Sequence, residues 1–218
     1  MENVRSTDAS HPQVEEIHPS VKSFVKRLMD IVGASIGLSI AAIIAIPVAI
    51  AMHFDSPGPL FYTQMRCGYK GRHFRMWKFR SMVVNADRQK HLVKNQANGH
   101  IFKSNNDPRI TRVGRFLRRT SLDELPQFWN ILIGDMSLVG TRPPIVDEYN
   151  KYQPHHKRRL DVKPGLTGEW QTRGRSTIID FEKIVELDLL YQHKWSIFYD
   201  LKLILKTFAV VFKREGAW

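Results

Sequence analysis

RRTSLDELPQFWNILIGDMSLVGTRPP, residues 118–144, is the stretch on which the reading of this chain turns. Leu122, Leu125, Phe128, Trp129, Leu132 and Ile133 recur at helical spacing and define one apolar face. Pro126 fits a first helical turn, where proline is tolerated, so Asp123 and Glu124 fall at or beside a helix amino terminus. At about 100° per residue both carboxylates point away from the apolar face. Arg118 and Arg119 precede them, and Arg142 follows between Thr141 and a Pro-Pro step. Acids at the positive end of a helix, next to guanidinium groups suited to phosphate oxygens, form a candidate site. The bland alternative is a capping box, Ser121 to Glu124, which is a routine helix start. The surroundings decide between the two.

The chain has 218 residues, enough for one domain with appendages. Its formal net charge of +12 implies an anionic partner: nucleic acid, anionic lipid or a phosphorylated substrate. Cys67 is the single cysteine, so no intrachain disulfide can form, which fits a reducing compartment. Residues 1–20 are polar and unpatterned and read as a loose tail.

Residues 31–52, IVGASIGLSIAAIIAIPVAIAM, are 22 positions without a charge, long enough to cross a bilayer core. Residues 53–218 hold 29 Lys and Arg against 16 Asp and Glu, so they belong on the cytoplasmic side. A spanning helix would then export Lys22, Lys26 and Arg27, against the positive-inside tendency. Pro47 removes one backbone hydrogen bond and favours a kink. A helix that bends at Pro47 and returns to the same face satisfies both facts.

Residues 55–59, DSPGP, make a turn, and 60–82 alternate loosely, predicting a β-hairpin about Gly68 and Gly71. Most of the cations there, Arg66, Arg72 and Arg75 among them, read as a solvated basic face; Lys78 and Arg80 are expected to reach the site. Residues 83–106 carry no pattern that points to function. Asp107-Pro108 is expected to open a short basic amphipathic helix of interfacial character. Residues 163–168, KPGLTG, and 170–175, WQTRGR, read as a glycine-bearing loop. Residues 180–191 and 195–212 read as helices, the second amphipathic.

Several of these elements resemble the signature of the bacterial sugar transferases, the monotopic polyprenyl-phosphate phosphoglycosyl transferases. They are Leu122 to Leu125, Gly134 to Ser137, Gly140 to Pro143, the Gln64, Arg66, Gly68 run, Lys78 to Met82, and the Asp188, Tyr191 pair. The likeness covers nearly the whole chain. Two departures stand out: Ile46 where a serine usually precedes the proline, and Glu169 where an apolar residue is usual. The resemblance implies an α+β fold with a re-entrant membrane helix, a small β-hairpin and amphipathic interfacial helices around a cytoplasmic-face active site. The expected domains are a tail over 1–21, a helix-break-helix over 22–54, and the transferase unit over 55–218. Larger members carry four transmembrane helices and a further domain ahead of this unit, so a minimal form or a fragment is expected.

It also implies transfer of a sugar 1-phosphate from a UDP-sugar to undecaprenyl phosphate, at the cytoplasmic face of the bacterial inner membrane. Asp123 would be the nucleophile, forming an acyl phosphate with release of UMP. Glu124 would be a metal ligand or a base towards the acceptor, with Asp123 and Glu124 together holding Mg²⁺. Arg142, Arg118, Lys78 and Arg80 are the expected phosphate ligands, and Gln171, Arg173 and Arg175 the nucleotide contacts. Membrane lipid is an expected partner, nucleic acid is not, and a homodimer is compatible with the pattern. Two further classes remain: a glycosyltransferase that moves sugar without phosphate, and a basic membrane-associated scaffold without catalysis. UMP rather than UDP as product separates the first, and a dispensable Asp123 would mark the second.

Overall fold

The computed structural model describes residues 16–93, 95, 96, 98, 99, 104, 107–174 and 178–213. The part of the expected tail over 1–15 therefore lies outside the described residues. Its last residues are held: α1 (Pro19–Lys22) buries Ser20, and the His18 ring sits 3.1 Å from the Gln192 carbonyl.

Ser23 then caps α2 (Phe24–Asp55), its hydroxyl accepting from the Lys26 amide. The helix runs unbroken through Pro47, so the predicted helix-break-helix is one continuous helix of 32 residues, about 48 Å long. A proline deletes one intrahelical bond, and the bonds around it carry the helix on. Lys26, Asp30, Ala34, Gly37, Ala41, Val48 and Met52 form a buried stripe along its whole length. On the opposite side Phe24, Ile36, Ile43, Ile46 and Phe54 are each more than half exposed. Among the described residues this is the one helix long and apolar enough to cross a membrane.

The predicted hairpin is present. β1 (Phe61–Cys67) pairs antiparallel with β2 (His73–Phe79), Tyr62 opposite Lys78 and Gln64 opposite Met76. The outer edge of β2 is closed by a side chain: Asn130 accepts from the Trp77 amide at 3.0 Å and donates to the Arg75 carbonyl at 2.8 Å. An edge strand's unpaired backbone groups are thus satisfied by one buried amide.

Asp107 does not open the next helix. Its carboxylate is taken by the backbone amide and guanidinium of Arg109, and Thr111 caps α3 (Arg112–Arg119) instead, through Gly114 N–H. Arg109 is accordingly buried rather than part of the basic face. Gly114 lies so close to the Ser81 carbonyl that a Cβ would stand 1.9 Å from its oxygen.

After α4 (Gln127–Ile133), β3 (Ser137–Val139) pairs in parallel with β4 (Gly165–Thr167). The expected loop over 163–168 is therefore a strand, because its partner lies 28 residues earlier at Ser137, beyond the reach of local patterning. Between them lie α5 (Val146–Tyr149) and α6 (Pro154–Lys157). Residues Glu169–Gly174, also expected as loop, form α7, followed by α8 (Phe181–Lys194) and α9 (Ile197–Lys213).

Buried polar pairs bind these elements. Lys26 Nζ lies 2.5 Å from Asp200 Oδ2, with Tyr191 and Trp195 also donating to that carboxylate. Arg159 donates through Nε and Nη2 to Asp188 and through Nη1 to Tyr152. Asp30 accepts from the Ser137 hydroxyl and the Leu138 amide, tying α2 to β3. At the far end Asp55 accepts from the Val113 amide on α3. One body of protein thus holds α2 from its first turn to its last.

Candidate active site

The carboxylates sit in a 3-10 turn, Leu122–Glu124, with Pro126 as the residue that leads into α4. Ser121, ahead of them, is left-handed (φ 57°) and its side chain makes no cap bond. The capping box does not form, so the bland reading of Ser121 to Glu124 fails. Asp123 is 5% exposed, a low value for a carboxylate. Lys78 reaches it from β2: Nζ lies 3.1 Å from Glu124 Oε1 and 3.8 Å from Asp123 Oδ2. One ammonium therefore serves two acids, and its placement follows from the hairpin register, which sets Lys78 beside Tyr62 on the same face as Gln64 and Arg66.

Arg118, in the last turn of α3, donates through Nε to the Ser81 hydroxyl at 2.9 Å. Arg80 is not brought to the carboxylates. Its nitrogens go to the Ser56 hydroxyl and carbonyl, the Pro59 carbonyl and the Met82 carbonyl, fixing the turn after α2. Alternation alone would set Arg80 on the same face as Lys78, but β2 ends at Phe79, and the chain beyond it turns Arg80 towards Ser56 and Pro59.

A second cluster surrounds Arg142. Its Nη1 donates to Glu148 at 2.9 Å and its guanidinium stands 5.9 Å from the centre of the Trp170 ring. Burial raises the Glu148 carboxyl, but Arg142, Arg66 and the Ile145 amide together more than offset this, leaving it below its ordinary value. Arg66, read from sequence as solvated, is packed here: Nη1 donates to the Pro143 carbonyl and Nη2 to Gln64. Burial and the neighbouring Arg142 push the Arg66 guanidinium down to about 10, while Glu148, Tyr62 and Glu124 pull it up. The influence of Glu124 links this cluster to the Lys78 site. The signal for Arg66 was present in the Gln64, Arg66, Gly68 element, whereas nothing marked Trp170.

Trp170 Nε1, Gln171 Oε1 and Arg66 Nε are buried without a hydrogen-bond partner among the described residues. Buried polar atoms ordinarily have partners, so these three are suited to a polar ligand. Arg173 instead pairs with Glu169 on α7, and Arg175 lies outside the described residues.

For a metal, Asp123 and Glu124 offer adjacent hard oxygens already drawn to one cation, a donor set of the kind Mg²⁺ takes together with substrate phosphates. His155, His156 and Glu182 also bring ligand atoms within 4.8 Å of one another. There, however, His156 Nδ1 accepts the Gln153 amide at 3.1 Å, so its proton is on Nε2 and donates to Glu182 at 2.7 Å. That ring is spent on a hydrogen bond.

A buried carboxylate, a second acid, a lysine and an arginine cluster can together bind a diphosphate and let one carboxylate attack phosphorus. A family profile described as bacterial sugar transferase matches residues 21–214. The chain is 55% identical over 194 residues to the galactosyl transferase CpsE of Streptococcus agalactiae, covering 88% of this chain and 43% of that protein. It is 43% identical over 203 residues to the undecaprenyl-phosphate galactose phosphotransferase of Salmonella typhimurium, covering 89% of this chain and 42% of that protein. With an uncharacterized sugar transferase of Bacillus subtilis, EpsL, it shares 37% over 192 residues, 88% of this chain and 89% of the other. The chain thus spans less than half the length of the first two relatives.

Proposed function

The chain belongs to the bacterial sugar transferase family, and from that premise we propose that it transfers a sugar 1-phosphate from a UDP-sugar to a membrane polyprenyl phosphate, undecaprenyl phosphate. The observation that carries this reading is the buried Asp123, held with Glu124 against Lys78. An Asp123 oxygen attacks the phosphorus bearing the sugar. The bond to the UMP oxygen breaks with its electron pair, and an acyl phosphate remains on Asp123. An oxygen of the polyprenyl phosphate then attacks the same phosphorus and displaces the aspartate carboxylate, giving a polyprenyl diphosphate sugar.

Lys78 neutralises charge between the two acids and the incoming phosphates. Arg142 stands over the Trp170 ring, and Arg66, its neighbour, carries an unpartnered buried Nε, which supports nucleotide or phosphate binding there. Mg²⁺ held by Asp123 and Glu124 would supply further positive charge to the diphosphate.

The membrane placement rests on α2. A spanning helix would leave the hydrocarbon region of about 30 Å free of the rest of the protein. Here the same body packs along α2 from Lys26 to Asp55, while an exposed apolar face runs beside it. Both facts support a helix that dips into the bilayer from the cytoplasmic face of the inner membrane.

Incubating the protein with a UDP-sugar and Mg²⁺, without acceptor, tests the reading. UMP should appear, and intact-mass measurement should show a phosphosugar on Asp123 that Asp123→Asn abolishes. Near wild-type turnover by Asp123→Asn would overturn it. The name of the 55% identical relative, a galactosyl transferase, favours a second reading in which sugar moves without phosphate; UDP as product would establish that one.

A further inference from the structure

An apolar groove of about 460 Å³ lies between α2 and the hairpin, on the side of β2 away from Lys78. Its floor is small: Ala41, Ala42 and Ala45 face it on successive turns of α2. Aromatic rings make its walls. Phe61 meets Trp77 edge to face at 6.1 Å and stacks on Phe79 at 5.5 Å, and Trp129 of α4 stands opposite. No polar side chain lines it among the described residues, so it offers nothing to recognise a sugar or a base.

Position narrows the occupant further. The inner end of the groove is made by Phe79, which follows Lys78 in sequence, and by Pro126, two residues after Glu124 and hence within about 7 Å of it along the chain. Exposed apolar side chains flank the lining in sequence: Ile43 and Ile46 directly follow Ala42 and Ala45 on α2, and Ile133 lies one turn beyond the half-exposed Trp129 on α4. A molecule filling the groove therefore arrives from lipid and presents its head at the carboxylate and lysine site. We infer that this groove binds the first isoprene units of the polyprenyl phosphate acceptor and so sets its phosphate against the intermediate on Asp123. The inference rests on the proposed function and adds where the lipid is held.

The test separates the two half-reactions. Ala42 is exposed in the groove floor, and Ala42→Trp fills it. The donor half-reaction, which involves no acceptor, reports the fold: UMP release and the Asp123 adduct should form as in the parent. Transfer to polyprenyl phosphate should then show a KM raised roughly tenfold or more. The parent's preference for long over short prenyl phosphates should disappear as well. If the adduct forms in Ala42→Trp and the acceptor KM and length preference stay at parental values, the groove holds bulk lipid or a second copy of the chain, and the inference is overturned while the proposed function stands. If the parent itself forms neither adduct nor UMP, both fall. If only Ala42→Trp loses the adduct, Trp129→Ala decides, since Trp129 is half exposed and its removal opens the groove wall: a raised acceptor KM supports the site, and an unchanged one overturns it.

Discussion

Lys78 Nζ lies 3.1 Å from Glu124 Oε1, closer than its 3.8 Å to Asp123 Oδ2, so the lysine leans on the second acid and approaches the first less closely. An attacking carboxylate benefits from that inequality, because an oxygen tightly bound to an ammonium is a poorer nucleophile. Replacing Lys78 by Met should lower the rate of UMP release by about 10²- to 10³-fold, the usual cost of removing one charge-stabilising donor. A rate within a factor of a few of the parent would show that Lys78 is only a structural counter-ion.

Mg²⁺ dependence can be checked directly. Turnover should fall to background in excess EDTA and return on adding Mg²⁺ or Mn²⁺. Undiminished turnover in the chelator would exclude a metal role for Asp123 and Glu124.

Glu148 provides a pH test. Its folded carboxyl lies below the ordinary value: burial raises it, and Arg142, Arg66 and the Ile145 amide together lower it by more. A depressed carboxyl stabilises the fold above its unfolded value, and that contribution is lost as pH falls through the folded one. Glu148→Gln should therefore cost about 2 to 4 kcal/mol at neutral pH, and the gap to the parent should close below about pH 4. Thermal unfolding in micelles across that range measures it, and a gap independent of pH would count against the pairing.

For Lys26 and Asp200, both buried, removing either partner should destabilise by about 3 to 5 kcal/mol. A double-mutant cycle of Lys26→Met and Asp200→Asn should give a coupling of roughly 1 to 3 kcal/mol. Additive losses would mean that the two side chains act independently.

The sequence made the hairpin, α8, α9 and the 118–144 stretch legible because each carries its own period or motif. It failed where a partner came from far away. Asp107 satisfies every local rule for a cap, yet Arg109, two residues on, competes for its oxygens more strongly than a backbone amide does. Residues Gly165–Thr167 look like a loop until β3 is placed beside them. At the site, Asp123 and Glu124 stand out by their motif and Lys78 by its neighbours, whereas Arg80, one residue beyond the end of β2, is turned to Ser56 and Pro59 by a change of direction that no local pattern marks. Asn130 gave no signal at all, since closing a strand edge with a side-chain amide depends wholly on how α4 meets β2.

The separation of Lys26 and Asp200 in sequence sets a schedule for biosynthesis. The lysine leaves the ribosome 174 residues ahead of its carboxylate. At ordinary elongation rates of about 5 to 20 residues per second, that interval lasts roughly 10 to 35 s. Throughout it, α2 carries a charge that the finished protein hides, and the helix cannot take its final seat. The buried seat of Lys26 is therefore completed only when α9 is made, so synthesis of α9, rather than exposure of α2, is the step that lets the N-terminal helix take its final place against the rest of the protein.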